Sequence, residues 1–269
     1  MTTSAPRRRV SLGPAGLAAL LLGGALVGWI VTADRMQGME AGPGMDLGGL
    51  GWYVGVWLTM MSAMMLPSAA PMVIVFSRMA HARAETTRGA SAATAAFVGG
   101  YFAVWTLYGL VAYAVFRAMR ALDLGLLSWD GQGPIVAGAA IVAAGLYQLT
   151  PLQRACLRHC RSPLHFLMHA WCPGPVGAFR LGGVHGGYCV GCCAGLMLVL
   201  FAPGVMSVLW MAVIAAIVFA EKVLPFGRRG QIALAAGLVA AGIWVAAAPG
   251  SVPGLHEPGS NDAGMSMTR

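Results

Sequence analysis

Residues 51–76 read GWYVGVWLTMMSAMMLPSAAPMVIVF, a stretch with no Asp, Glu, Lys or Arg. At about 1.5 Å of rise per residue, roughly 20 such residues cross the hydrocarbon layer of a bilayer, so the stretch predicts a membrane-spanning helix. Working outward, further apolar runs lie near 12–33, 94–116, 134–151, 185–203, 205–223 and 231–248. Together they predict an all-α fold, a polytopic helical membrane bundle with about seven transmembrane helices in one domain over 12–248. Composition agrees: 58% of the 269 residues are hydrophobic, 10% are charged, and the mean hydropathy is +0.73. A water-facing globular domain has a different balance.

The net charge of +8 is spread over short clusters between apolar runs, which speaks for membrane topology and against nucleic acid. Arg7 to Arg9, the 78–88 arginines, Arg154 to Arg180 and the Lys222 to Arg229 cluster share one side if the spans alternate. By the positive-inside rule that side is the cytoplasm, with the N-terminus inside and the C-terminus outside. Residues 1–11 form a basic cytoplasmic lead, and 12–33 is too long and too poor in cleavage signals for a removable leader. Segment 152–184, rich in Arg, His, Pro and Gly, is expected to be an interfacial hairpin, and 249–269 a disordered periplasmic tail.

Six cysteines in a chain of this topology face a reducing compartment, so ligands or buried thiols are expected and disulfides are not. Cys156 and Cys160 are four apart and share a face if the segment is helical. Cys189, Cys192 and Cys193 enter the fifth span from the same edge, with His159 and His185 as neighbouring nitrogen donors. Thiolates at these spacings select soft ions such as Cu(I), with Zn(II) as the other candidate. Against this stands the plain role of cysteine as a small apolar residue at home inside helices, the reading given to Cys172.

Met60, Met61, Met64 and Met65 form two i, i+4 pairs within 51–76. Thioethers hold a soft monovalent cation without being deprotonated, although a methionine stripe also fills gaps between helices. Met36, Met39 and Met45 before this helix and Met265 and Met267 in the tail place further thioethers outside, while thiols gather inside, a gradient suited to a soft-metal relay. Pro67 and Pro71 are expected to break or kink the helix after the ladder. Glu221 and Lys222 read as a helix-end anchor, and Trp52, Trp57, Trp105, Trp129 and Trp210 as an aromatic belt. No phosphate loop or nucleotide domain is present in the sequence, which speaks against ATP as the energy source.

Several motifs resemble one family. They are Trp57-x-x-Met60-x-x-Ala63-Met64-Met65-x-Pro67-x-x-x-Pro71, Gly145-x-Tyr147-Gln148-Leu149-Thr150-Pro151-Leu152, and Cys156-Leu157-x-His159-Cys160-Arg161. Gly183-x-His185-Gly186-x-Tyr188-Cys189-x-Gly191-Cys192-Cys193, Gly204-Val205-Met206-x-x-Leu209-Trp210-Met211 and Glu221-Lys222-x-x-Pro225 complete the set. Over residues 50–225 the chain resembles a bacterial family of predicted metal-binding integral membrane proteins, a domain of unknown function. It departs from that pattern at Gln153, where Lys is common, and at Ser207, where Asn is common. The methionine step is also similar to that of eukaryotic copper importers. The resemblance implies a bound metal without naming it.

The expected function is Cu(I) binding, transport or delivery, with a metallochaperone or metalloenzyme as partner and a possible oligomer in the bilayer. Two other classes remain open: a membrane thiol-disulfide oxidoreductase cycling Cys189 and Cys192, and a non-catalytic scaffold subunit.

Overall fold

Away from water each backbone N–H and C=O must find its partner within the chain, and a long apolar run does so as a helix. The computed structural model describes residues 13–36, 49–121, 133–201, 208–224 and 227–248. Among these residues there are nine α-helices and no strand. They are α1 (Pro14–Met36), α2 (Leu50–Arg83), α3 (Thr87–Ala121), α4 (Gly133–Tyr147), α5 (Pro151–Arg161), α6 (Pro163–Ala170), α7 (Gly174–Phe201), α8 (Val208–Val223) and α9 (Arg228–Ala247). The N-terminal basic cluster, the outer Met39 and Met45, Trp129, the Gly204 to Met206 motif and the C-terminal tail lie outside the described residues.

Five helices, α1, α2, α3, α7 and α9, are long and apolar enough to cross a membrane. A sixth crossing is available if α4 and α5 form one broken span, bent by 65°. The expected span near 205–223 is represented by α8, which is apolar and has 16 described residues. The bend between α4 and α5 has a local cause: Thr150 caps α5, its Oγ accepting from the Gln153 N–H at 3.2 Å, and Pro151 follows at the first helical position.

Three expectations are corrected. The segment 152–184 is not one interfacial hairpin, because α5 and α6 are followed by α7 from Gly174, whose φ of 81° sets the turn into that helix. The α2 helix is not broken at Pro67 or Pro71 and continues through both over 34 residues, so of the expected break or kink the break is absent. Trp57 and Trp105 belong to the core, both nearly inaccessible, with Trp57 Nε1 donating to the Trp105 carbonyl at 2.8 Å.

Helices in lipid gain little from apolar burial against each other and associate through close packing of small residues. The tightest crossing is α3 on α7. A Cβ at Gly182 would collide with the Phe97 carbonyl oxygen, and one at Gly100 with the Phe179 carbonyl oxygen. The backbones therefore touch at a distance only glycine permits. α2 packs on α1, α3 and α8, α4 on α9 and α7, and α5 against α7. α2 and α7 thus line a common interior.

Candidate metal centre

All four ladder methionines point inward. Met60, Met61, Met64 and Met65 are buried, as are Cys156, Cys189, Cys192 and Cys193, and all eight belong to one contiguous core cluster. Cys160 is half-buried and packs against that cluster, whereas Cys172 is exposed. Met197 and Met211 add further buried thioethers. Met197 is four residues beyond Cys193 on α7, a spacing readable from the sequence, while Met211 on α8 is brought in by tertiary packing.

The thiols do not mark one edge of the helix that carries them. Because α7 begins at Gly174, Cys189, Cys192 and Cys193 fall near its middle, as the methionines do on α2. Cys189, Cys192 and Cys193 consequently share one buried cluster with the four ladder methionines, and do not sit at the end of their helix.

Cys192 is the hub. Its Sγ lies 3.8 Å from Cys160 Sγ and 3.4 Å from Cys193 Sγ, and it donates to the Cys189 carbonyl at 3.2 Å. The approach of α5 depends on Gly191, where a Cβ would stand 2.6 Å from Cys156 Sγ. Tyr147 at the end of α4 fixes the same turn, its hydroxyl donating to the Gly191 carbonyl at 2.5 Å. All six cysteines are free thiols.

Cys189 has different company. Its Sγ is 3.1 Å from the Tyr101 hydroxyl and 3.0 Å from Lys222 Nζ, which also donates to Ser68 Oγ at 3.2 Å. The helix-end anchor reading of Glu221 and Lys222 is therefore overturned. Lys222 reaches inward to α7 and α2, and Glu221 is buried, its Oε2 accepting from Gln148 Nε2 at 3.4 Å. Arg161 ties this end of α8 to α5 by donating from Nε to the Glu221 carbonyl at 2.6 Å. The sequence held a signal: of seventeen basic residues, Lys222 is the only lysine.

The two candidate histidines part ways. His159 stacks on Tyr188, ring centroids 4.2 Å apart and 2° from parallel, and its Nδ1 engages the Ala155 carbonyl at 2.8 Å. His185, one turn before Cys189 on α7, is buried between Tyr101 and Phe97, with centroids at 5.6 and 6.0 Å. Its Nδ1 has no hydrogen-bond partner, an unmet polar atom one turn from the thiols.

Among the described residues no group of three or more His, Cys, Asp or Glu side chains is gathered as a ready metal site. The sulfurs form close pairs, Cys160 with Cys192 and Cys192 with Cys193, amid thioethers. Paired soft donors suit a monovalent soft ion of low coordination number, while structural Zn(II) takes four ligands in a closed tetrahedron.

An all-helical chain with membrane-length helices and a sulfur-lined interior is of the class built to handle a soft metal. The chain belongs to the copper chaperone family PpoB2, whose sequence profile matches residues 54–245 and so includes every sulfur of the cluster and Lys222. Copper is thereby supplied as the metal that the motif resemblance left unnamed, and copper binding and delivery follow at the level of the family. No curated protein and no solved structure matches the chain.

Proposed function

We propose that the chain is an integral protein of the bacterial inner membrane that takes Cu(I) as its cargo, holds it on the cysteine cluster and passes it through the methionine ladder. Cys160, Cys192 and Cys193 form the holding pairs, Cys156 and Cys189 flank them, and His185 offers a nitrogen. Met60, Met61, Met64 and Met65, joined by Met197 and Met211, give neutral soft donors through which the ion moves without a proton being released. His159, stacked on Tyr188 of α7 and hydrogen-bonded within α5, serves to orient that helix. The recipient is a metallochaperone or a copper enzyme, with the N-terminus on the cytoplasmic side.

The observation that carries this reading is the Cys160–Cys192–Cys193 line of sulfurs, at 3.8 and 3.4 Å, embedded in the same buried cluster as the methionines. Pairs of sulfurs favour Cu(I) over Zn(II), which would need more donors than are gathered here. The test is the copper, zinc and iron content of anaerobically purified protein, wild type beside Cys192→Ala/Cys193→Ala. Copper bound by the wild type and lost from the variant is the expected result. Copper retained in full by the variant would remove the thiol site, and metal-free wild type with a titratable disulfide would favour the oxidoreductase class.

A further inference from the structure

Helix α5 has two chemistries on its two sides. Cys156 and Cys160 share one side, while Arg154, Arg158 and Arg161 follow at i, i+4 and i+7 along another. The arginines converge on a cavity of about 480 Å³ between α5 and the first turn of α9, lined by Pro151, Arg154, Leu157, Arg158, Arg161 and Gln231. None of these residues is acidic. The guanidinium groups of Arg154 and Arg158 beside one hollow repel each other, and a bound anion relieves that cost.

Arg154 and Arg158 are oriented by main-chain carbonyls. Arg154 donates from Nε to the Thr150 carbonyl and from Nη2 to the Leu149 carbonyl, and Arg158 from Nε to the Arg154 carbonyl, each at 3.4 Å. A guanidinium carries five N–H donors, so Arg158 keeps its terminal N–H groups for a ligand. Arg161 is held through Nε by the Glu221 carbonyl and braces the cavity wall. Membrane topology accounts for basic residues lying on one side of a bilayer, but it does not require them to meet at a hollow. Forked guanidinium donors match the oxygens of a phosphate group, and Gln231 adds an amide. Leu157 and Pro151 give the hollow an apolar floor, suited to the glycerol stem of a headgroup. Basic pockets between helices at the membrane edge take anionic lipid headgroups by the same chemistry.

We propose that the cavity between α5 and α9 is a phosphate-binding site in which Arg154 and Arg158 hold the anion, with Arg161 fixing the wall and Gln231 closing the far side. The ligand is a phosphate group, borne either by an anionic phospholipid or by a small soluble molecule. This site is separate from the sulfur cluster and stands whether or not copper binds there.

The test uses the full chain in neutral detergent, wild type beside Arg154→Gln/Arg158→Gln. Native mass spectrometry reads retention of phosphatidylglycerol against phosphatidylcholine, and thermal unfolding reads inorganic phosphate against chloride at equal ionic strength. Wild type is expected to keep phosphatidylglycerol in preference, with the preference falling by about tenfold in the variant as two charge-assisted contacts are lost. A lipid preference without a phosphate effect assigns the site to a headgroup, and stabilisation by inorganic phosphate that the variant lacks assigns it to a soluble anion. Equal behaviour of the two proteins in both assays overturns the proposal. If the Gln variant does not fold, Arg154→Lys/Arg158→Lys carries the test. It keeps the charge but loses the fork, and retention equal to wild type in that variant likewise overturns the site.

Discussion

Lys222 Nζ lies 3.0 Å from Cys189 Sγ, so the only lysine of the chain is directed at a buried sulfur. A copper ion held by two thiolates carries a net charge of −1, and an unbalanced charge in an apolar interior is costly. The Lys222 ammonium balances it. Lys222→Met, close in volume but uncharged, is expected to weaken copper retention by about tenfold or more, which corresponds to roughly 1.4 kcal/mol per decade. Competition with a Cu(I) chelator measures it. Lys222→Arg should restore only part of the loss, because a planar guanidinium does not fit the place where a compact ammonium meets Ser68 and Cys189 together. Retention unchanged in Lys222→Met would assign the lysine to packing alone.

The crossing of α3 and α7 sets where every α7 cysteine sits. Gly182→Ala places a methyl group into the Phe97 carbonyl, which belongs to backbone and cannot swing aside. The helices must part, and the expected cost is at the upper end of overpacking, about 3 kcal/mol. The thermal midpoint in detergent should fall accordingly. Gly187→Ala, on the same helix with open space around its would-be Cβ, is the control and should leave it nearly unchanged.

Much of this fold was legible as length and polarity. Runs near 12–33, 51–76, 94–116 and 231–248 correspond to α1, α2, α3 and α9, since an uncharged stretch of about 20 residues has few other stable states. The start of α7 was hidden because Gly174, Pro175, Arg180, Gly182 and Gly183 read as turn and loop signals in water. In a bundle, Gly182 is instead a contact surface and Pro175 sits in the first turn of the helix, where its missing N–H costs nothing. The sulfur residues announced themselves by type and spacing. Their partners did not, because Tyr101 and Lys222 meet Cys189 from two other helices, and Ser68 meets Lys222 from a third. No periodicity records which faces of separate helices turn toward each other. A lysine at a helix end reads as an anchor by position alone, whereas being the single lysine beside sixteen arginines sets Lys222 apart.

The methionine ladder separates a relay from a packing role. Met61 and Met65 are wholly buried one turn apart on α2, so replacing both with Leu removes two thioethers while nearly conserving volume. Such swaps cost less than about 1.5 kcal/mol each, and the fold should survive. Copper per chain is expected to stay near the wild-type value, because the thiols remain, while transfer of copper from the loaded protein to an acceptor slows several-fold. Transfer at the wild-type rate with an intact fold would leave these methionines as core residues only.

Gly191 gives the most direct test of how α5 and α7 assemble the thiol cluster. A Cβ there would stand 2.6 Å from Cys156 Sγ and 3.4 Å from its Cβ, so Gly191→Ala forces the thiol to rotate away or α5 to withdraw. Rotation of a single side chain is the smaller change, and the expected stability cost is about 1 kcal/mol. The effect on copper should exceed the effect on stability, because Cys160 rides on the same helix and its 3.8 Å approach to Cys192 is lost if α5 moves. Removing the clashing sulfur distinguishes these cases. In Gly191→Ala/Cys156→Ala the collision is gone, and the two changes should be strongly non-additive, with the thermal midpoint returning toward that of Cys156→Ala alone. Copper retention should recover with it if Cys160, Cys192 and Cys193 hold the ion, and should stay low if Cys156 is itself a required ligand. Measured beside Cys156→Ala, the double variant thus tells whether α5 contributes one sulfur to copper or two.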